Sequence, residues 1–539
     1  MADQTNSSAP SPGHVFDDTA VGRTDLGRRI AAGGVFGLST SAIRSLITLV
    51  TTAALARLLT PDDFGLFAMA VGVTGFVGLF GNIGIPAAIV RSNTVSANTA
   101  NALFALNLAV GVVIGGTMIL LASPAATLFG EPRLVPLVSA LACLAPFHAI
   151  ANYYKAICAR RMMWAALSAI LLASQALSTA AAIALAAATS VGVWALAVQQ
   201  AVALAVTLSV YAALVPWRPG RVTGWREAAA PIGFGLYLGG YGLVNYFHRQ
   251  IDNILVGMRW GAVDLGFYSR AYNLFMLPLT ALVWPLIGPL TSGMSRLQDD
   301  PARWARTYLA WLAPVSVLAA GLSGVLVLGA DAVVLVLFGD QWLEVVPIFR
   351  CLSLTMGLQP ALSSAGVIFI TLGRTRRKFW GSFAVSGTFL CAFLIGLPFG
   401  PTGVAAGYAA AFVVVLPGWI LLATRGTALG LTPILAVALP PMAALWLAVG
   451  ATLALEGLAP QAIDGVWALA ALRCALFGAA YLGLVAALRS RMPAFRDSLT
   501  PALALAAERL RAVFSLARTS LRRRPAPAPL TSPPWRRTR

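Results

Sequence analysis

Charged residues are scarce in this chain: 11% of its 539 positions, against 58% hydrophobic residues. A water-soluble domain carries roughly 25% charge, so too little polar surface is present to coat one. Histidine is rare and the five cysteines stand apart. Cys143, Cys158, Cys351, Cys391 and Cys474 show no paired spacing, which excludes a disulfide framework or a zinc motif and leaves them as small buried hydrophobes. His148 and His248 have no second ligand at metal spacing. The short alternating segments of a membrane barrel are also missing. The polar start, Met1 to Arg29, has no short apolar core followed by a cleavage site, so the first apolar helix is expected to anchor the chain.

What is present is a succession of apolar runs, each near the roughly 20 residues that cross a hydrocarbon core as a helix. They fall near 31–56, 64–90, 100–122, 134–157, 164–187, 191–214, 231–257, 264–291, 307–329, 345–372, 379–399, 402–424, 433–455 and 466–488. The expected fold class is an all-α polytopic membrane protein with about 14 transmembrane helices. Its base distribution fixes an orientation. With both termini cytoplasmic, only Arg57, Arg133 and Arg259 of the 38 bases fall in outer loops, while acids divide evenly between the sides. Basic residues, rather than net charge, set membrane orientation. The formal charge of +19 therefore reflects topology, and no nucleic-acid partner is expected.

Three landmarks recur in order. Thr60-Pro61-Asp62-Asp63-Phe64-Gly65 resembles Gly261-Ala262-Val263-Asp264-Leu265-Gly266; Leu128-Phe129-Gly130-Glu131 resembles Leu337-Phe338-Gly339-Asp340; Val191-Gly192-Val193 resembles Thr402-Gly403-Val404. The offsets of 201, 209 and 211 residues are nearly constant. They predict two homologous six-helix lobes of like orientation around a central cavity, with a C-terminal helix pair appended. The expected divisions are a cytoplasmic tail (1–27), an N-lobe (28–214), a C-lobe (231–424), the extra pair (433–488) and a basic cytoplasmic tail (489–539). In that tail Leu499, Leu503, Ala506, Leu510 and Val513 follow helical spacing, which predicts an amphipathic helix on anionic inner-leaflet lipids.

The segment Asn245-Tyr-Phe-His-Arg249-Gln-Ile-Asp252-Asn253, continuing through Leu265-Gly266-Phe267-Tyr268-Ser-Arg270, resembles the seventh and eighth helices of bacterial polysaccharide exporters. These are the Wzx-type O-antigen and exopolysaccharide flippases of the multidrug/oligosaccharidyl-lipid/polysaccharide superfamily. Ala56-Arg57-Leu-Leu-Thr60-Pro61 is similar to that family's first outer turn. The resemblance covers about residues 28–425. It implies a two-lobe alternating-access transporter in the bacterial inner membrane. The implied substrate is an undecaprenyl-diphosphate oligosaccharide turned from the cytoplasmic to the periplasmic leaflet for lipopolysaccharide or exopolysaccharide biosynthesis. A polysaccharide polymerase and export machinery are its implied partners.

A diphosphate with sugars loses its hydration in hydrocarbon, so a flippase must offer a wet cavity with cationic ligands. Besides Lys155 at the inner end of the fourth run, five bases lie inside spans: Arg44, Arg249, Arg270, Arg350 and Arg473. Arg44 is too deep to reach the interface and is expected to line the cavity, its guanidinium fork suited to phosphate. Arg249, Arg270 and the amide of Asn245 are further candidate ligands, and Lys155 and Arg160 stand near the expected cytoplasmic mouth. Arg350 and Arg473, near span ends, are expected to reach toward the interface. Asp252, the sole acid within a span apart from Asp264 at the very start of one, is the candidate for proton or sodium coupling; no other cofactor, metal or catalytic residue is expected. The alternatives are a peptidoglycan-precursor flippase, a cation-coupled drug exporter and, less favoured, a membrane glycosyltransferase. The last would carry long outer loops, and all loops here are short.

Overall fold

The computed structural model describes the backbone of residues 23–75, 96–221, 225–458, 465–504 and 508, and the side chains of 40–75, 96–221, 250–457, 465–504 and 508. Its regular structure is helical throughout. The N-lobe holds α1 (Arg23–Leu58), α2 (Pro61–Thr74 within the described residues), α3 (Ala97–Phe129), α4 (Leu134–Arg160), α5 (Trp164–Ala188) and α6 (Trp194–Leu214). The C-lobe holds α7 (225–260), α8 (262–295), α9 (Pro301–Leu328), α10 (Val345–Thr371), α11 (Thr375–Gly396) and α12 (Gly400–Thr424). The appended pair is α13 (Leu431–Leu458) and α14 (Val466–Arg491).

Eleven stretches of described helix are long and apolar enough to cross a membrane. Two of them, Gln250–Ser295 and Thr375–Thr424, are each hairpins. The Tyr268 hydroxyl reaches Asp252 Oδ2 at 2.9 Å, although residues 16 apart in one straight helix would be separated by about 24 Å. The fold-back occurs at Gly261, whose φ of 84° is left-handed and open to a residue without a Cβ. In the second hairpin, a Cβ on Gly407 would stand 2.5 Å from the carbonyl oxygen of Ala392, and Gly400 (φ 78°) makes the bend. With the 14 described residues of α2, these make the fourteen helices α1 to α14.

Local chemistry starts and stops the helices where the two lobes meet. Thr60 caps α2: Asp63 N–H donates to its hydroxyl at 3.3 Å, and Thr60 N–H donates back to Asp63 Oδ2 at 3.1 Å. Pro61 occupies the first turn, where its missing N–H is harmless. In the C-lobe the place of Thr60 is taken by the bent Gly261. Gly130 (φ 67°) and Gly339 (φ 91°), landmarks of the repeat, both adopt positive φ after a Leu-Phe pair. The third landmark is displaced. Gly192 (φ 55°) precedes α6 as a bend, but Gly403 lies inside α12, and its conformational counterpart is Gly400.

The pseudo-symmetry is sharpest where α2 crosses α8. A Cβ on Gly65 would lie 1.6 Å from the carbonyl oxygen of Ala262, and one on Gly266 would lie 2.0 Å from that of Pro61. Each glycine lets its lobe's helix sit directly on the other's backbone, and the two contacts exchange under the repeat.

The described turns that follow α1, α3, α7, α9 and α11 gather at this end. Arg57 Nη2 donates to Val336 O at 2.5 Å, Trp342 Nε1 donates to Ala56 O at 2.8 Å, and Trp260 Nε1 donates to Leu397 O at 2.8 Å. Arg133 bridges Asp62 and Glu131, each at 2.7 Å. The fully buried Trp342 ring lies 5.4 Å from Phe64 of the N-lobe and 5.9 Å from Phe267 of the C-lobe. At the opposite end the described hydrogen bonds join loops of one lobe: Gly220 N–H to Asn101 Oδ1 (3.0 Å), Gln298 Nε2 to Thr371 O (2.5 Å), and Arg374 Nη1 to Arg425 O (2.7 Å). Among the described residues the hydrogen bonds between the lobes therefore fasten them at one end, the end that the arginine distribution assigns to the outside, while α1 also packs along the 279–295 stretch of α8.

The appended pair packs on the C-lobe. Gly324 of α9 receives the Phe477 ring of α14, so closely that a Cβ there would stand 2.0 Å from Cζ. The Tyr481 hydroxyl donates to Val317 O at 2.7 Å. Small residues of this kind let membrane helices approach. Arg350 and Arg473, expected to reach toward the interface, each meet an acid at a helix end. Arg350 pairs with Asp331, and Arg473 bonds Glu456 at 2.5 Å and lies 3.6 Å from Asp331. These ion pairs tie α13 and α14 to the C-lobe. The basic tail continues as helix over 493–504, beginning before the expected Leu499. Phe495 and Leu499 are buried against the protein core, and Leu503 is exposed. Residues 509–539, with most of the expected amphipathic stretch, lie outside the described residues, as does the tail 1–22.

Candidate functional site between the lobes

A cavity of about 660 Å³ opens between the lobes beneath the fastened end. α1 turns Ser41, Arg44, Ser45, Thr48, Thr51 and Thr52 toward it, at intervals of three or four residues that form one helix face. α8 supplies Arg270, Asn273, Leu277 and Thr280 from the opposite lobe, again along one face. Gln175 of α5 and Gln199 of α6 add amides, and Leu55 and Phe64 lie next to the closed end. No Asp or Glu is among the described residues that line it.

Both arginines sit deep. At 1.5 Å per residue, Arg44 is about 21 Å along α1 from Leu58, and Arg270 is about 13 Å along α8 from Gly261. An arginine at such depth is tolerated where it faces protein or water. Arg270 Cζ lies 4.2 Å from the centre of the Phe64 ring, while its buried Nε donates to no protein acceptor. The ring quadrupole helps hold the cation in place without using up its N–H groups. Part of the α1 hydroxyl face is spent on packing. Gln175 Nε2 donates to Thr48 Oγ1 at 2.7 Å, and the Thr51 and Thr179 hydroxyls share a bond of 2.8 Å. These bonds pin α1 to α5, so Arg44 is presented from a braced helix.

Two smaller cavities adjoin this one. In the C-lobe, a space of about 280 Å³ is bordered by Asp252, Tyr272, Gln359, Phe389 and Tyr408, and shares Met276 and Trp284 with the inter-lobe cavity. Asp252 is buried and accepts the Tyr268 hydroxyl. In the N-lobe, a space of about 510 Å³ is bordered by His148, Asn152, Lys155 and Gln200 and shares Ser41 with the inter-lobe cavity.

Of the residues singled out in the sequence, Arg44 and Arg270 therefore meet in one cavity, Lys155 faces the N-lobe cavity, and Asp252 faces the C-lobe cavity. Arg160 is half-buried at the end of α4, outside these three linings. Asn245 and Arg249 stand on helical backbone in α7, with side chains outside the described residues, as is any pairing of Arg249 with Asp252. Gln199, Asn273 and the Tyr268 partner of Asp252 were not singled out. A polar face on a membrane-crossing helix, with α1 reading Ser41, Arg44, Ser45, Thr48, Thr52 at helical spacing, is the signal that would have extended the site.

Comparison with known proteins follows the same lines. The family profile described as "Polysaccharide biosynthesis protein" matches residues 54–347. The chain is 26% identical to the succinoglycan biosynthesis transport protein ExoT of Rhizobium meliloti, over 64% of this chain and 68% of that one. It is 23% identical to the lipopolysaccharide biosynthesis protein WzxC of Escherichia coli, over 67% and 75%. It is also 25% identical to the teichuronic acid biosynthesis protein TuaB of Bacillus subtilis, over 62% and 70%. Among solved structures, the lipid II flippase MurJ in an inward closed conformation superimposes with a TM-score of 0.63 at 12% identity, covering 86% of this chain and 99% of that one. An inward-facing multidrug MATE transporter gives 0.60 at 16% identity, covering 74% and 98%. These two establish the fold alone: two helical lobes of the transporter type. With more than half of its length matched by the profile, the chain is a multi-pass membrane protein of the polysaccharide biosynthesis protein family.

Proposed function

We propose that the protein is a flippase for lipid-linked oligosaccharides, moving undecaprenyl-diphosphate repeat units across the bacterial inner membrane, from the cytoplasmic to the periplasmic leaflet. The observation that carries this reading is the inter-lobe cavity, which offers one arginine from each lobe, a face of hydroxyls and amides, and no described carboxylate. A diphosphate is stabilised there by two guanidiniums whose forks match its oxygens. Sugar hydroxyls find acceptors and donors on α1, α5, α6 and α8. The same cavity is ill suited to a cationic drug, which would meet two like charges and no carboxylate among the described lining residues. Fold similarity to MurJ keeps the peptidoglycan precursor as the second reading, since it too is a polyprenyl diphosphate.

The fastened end is the outer one on this reading, so the substrate loads from the cytoplasmic side. Release follows when the contacts around Trp342 and the Gly65–Gly266 crossing part. Lys155 and Arg160 attract the headgroup at the inner mouth, and Asp252 takes up the coupling proton or sodium ion. The protein itself breaks and makes no covalent bond.

Deleting the gene tests the reading in the cell. The expected result is loss of a surface polysaccharide with accumulation of its lipid-linked repeat unit facing the cytoplasm. Lysis with accumulated peptidoglycan precursor would favour the second reading, and drug sensitivity with intact polysaccharide would refute both.

A further inference from the structure

The C-lobe cavity is not explained by a diphosphate site. It holds no base among its described lining residues, and it places a buried acid and a buried amide beside aromatic rings: Asp252 is 4% exposed and Gln359 is 7% exposed. Gln359 Nε2 donates to the Tyr408 hydroxyl at 3.0 Å. Tyr408 stands edge-on to Tyr272 at 6.2 Å between ring centres and tilts against Phe389 at 5.3 Å. Protein partners hold these polar groups in place at the wall of the space, which is how a small-ligand site presents a few placed donors and acceptors among apolar walls.

Position links this space to the cavity with the arginines. Met276 and Trp284 line both. Between them α8 widens into a π turn, Leu279–Val283, the kind of local expansion that often marks functional sites. It carries Trp284 to the partition between the spaces, where the indole is 38% exposed. The two spaces thus adjoin at Met276 and Trp284, the side chains that a ligand with its charged part between Arg44 and Arg270 has to pass to reach the C-lobe.

We propose that the C-lobe cavity seats the sugar ring next to the diphosphate, and that it takes a neutral pyranose. This rests on the flippase reading above. A pyranose has apolar C–H faces and hydroxyls around its edge. Aromatic walls with a few placed polar groups match that pattern. At about 280 Å³ the space is at the low end of small-ligand pockets, roughly 300–1,000 Å³, so it admits one ring and leaves the remaining sugars in the inter-lobe cavity.

The test uses purified full-length protein in lipid nanodiscs and two probes: undecaprenyl diphosphate alone, and undecaprenyl diphosphate bearing a single neutral hexose. Two variants leave the arginine cavity untouched. Ser363→Leu fills the C-lobe space, and Tyr408→Phe removes the hydroxyl that Gln359 engages. Wild type binds the hexosyl lipid more tightly than the bare one, and each variant weakens hexosyl-lipid binding about fivefold while leaving the bare diphosphate lipid unchanged. Equal weakening of both probes would overturn the proposal as a general loss of structure. Unchanged binding of both would overturn it too, as would a change confined to the response to a sodium or proton gradient. In each of those cases wild type still binds polyprenyl diphosphate, so the flippase reading survives. A wild type that binds neither probe refutes that reading, and this inference with it.

Discussion

Arg270 of the C-lobe stacks its guanidinium 4.2 Å from the ring centre of Phe64 in the N-lobe, and Phe64 in turn packs 5.4 Å from Trp342 at the fastened end. One chain of contacts thus runs from the cationic cavity to the closure between the lobes. Occupation of the cavity by an anion draws on the same guanidinium that the Phe64 ring holds. On the flippase reading, substrate charge is coupled in this way to the contacts at the fastened end.

Replacing either arginine tests the charge requirement. Arg44→Ala and Arg270→Ala are each expected to weaken polyprenyl-diphosphate binding by roughly ten- to a hundredfold, the range for losing a charge-assisted hydrogen-bond partner. Arg270→Lys keeps the charge but loses the planar fork and most of the stacking on Phe64, and is expected to fall in between. Binding titrations in nanodiscs read both.

The glycine crossing admits no side chain. Gly65→Ala puts a methyl group against the Ala262 carbonyl, and Gly266→Ala does the same against Pro61. Each is expected to push α2 and α8 apart and to destabilise the closed outer end by about 1–3 kcal/mol, in the range of overpacked cores. Transport activity and thermal stability in detergent should fall together. Gly116→Ala, where a Cβ meets nothing within 4 Å, is the control.

Trp342→Ala removes the ring shared by both lobes and its bond to Ala56 O. The loss is expected to cost about 3–5 kcal/mol of packing and to admit water from the outer side. A Leu55→Cys probe at the cavity's outer end, in a background with the five native cysteines replaced, should then react faster with a membrane-impermeant thiol reagent added outside.

Glu131 lies in the α3–α4 turn, beyond the ends of both spans, and its hydrogen bonds to the Arg133 guanidinium hold its carboxyl below the usual glutamate range. A carboxylate held low in the folded protein contributes stability above its unfolded value of about 4.3, and loses it as pH falls through the folded value. Melting curves between about pH 6 and about pH 3 should show a small loss at the acid end. Arg133→Ala should remove the part due to this turn. The effect is modest because Arg133 is more than half exposed.

Much of this architecture can be read from the chain alone, because a membrane demands long apolar helices and biased bases, and both leave plain marks. The repeat was legible in the glycines: Gly65 and Gly266 are glycines because backbone meets backbone there, and Gly130 and Gly339 because φ is positive. Gly403 misled because a Gly-Val pair matched in sequence while the bend fell at Gly400. Arg44 stood out by depth. The ion pairs of Arg350 and Arg473 did not, because Asp331 and Glu456 lie outside the apolar runs and come close only when α10, α13 and α14 pack. Asn273 and Gln199 were equally silent: a single amide on an apolar helix says nothing of which neighbour it faces until the lobes are assembled.

The most direct measurement is leaflet exchange by purified protein in proteoliposomes carrying a fluorescent undecaprenyl-diphosphate oligosaccharide. Wild type is expected to make the label accessible to an external quencher, and Arg44→Ala with Arg270→Ala to abolish that exchange while the protein stays folded. Exchange by the double variant at the wild-type rate would show that the two guanidiniums do not carry the headgroup, and would contradict the account.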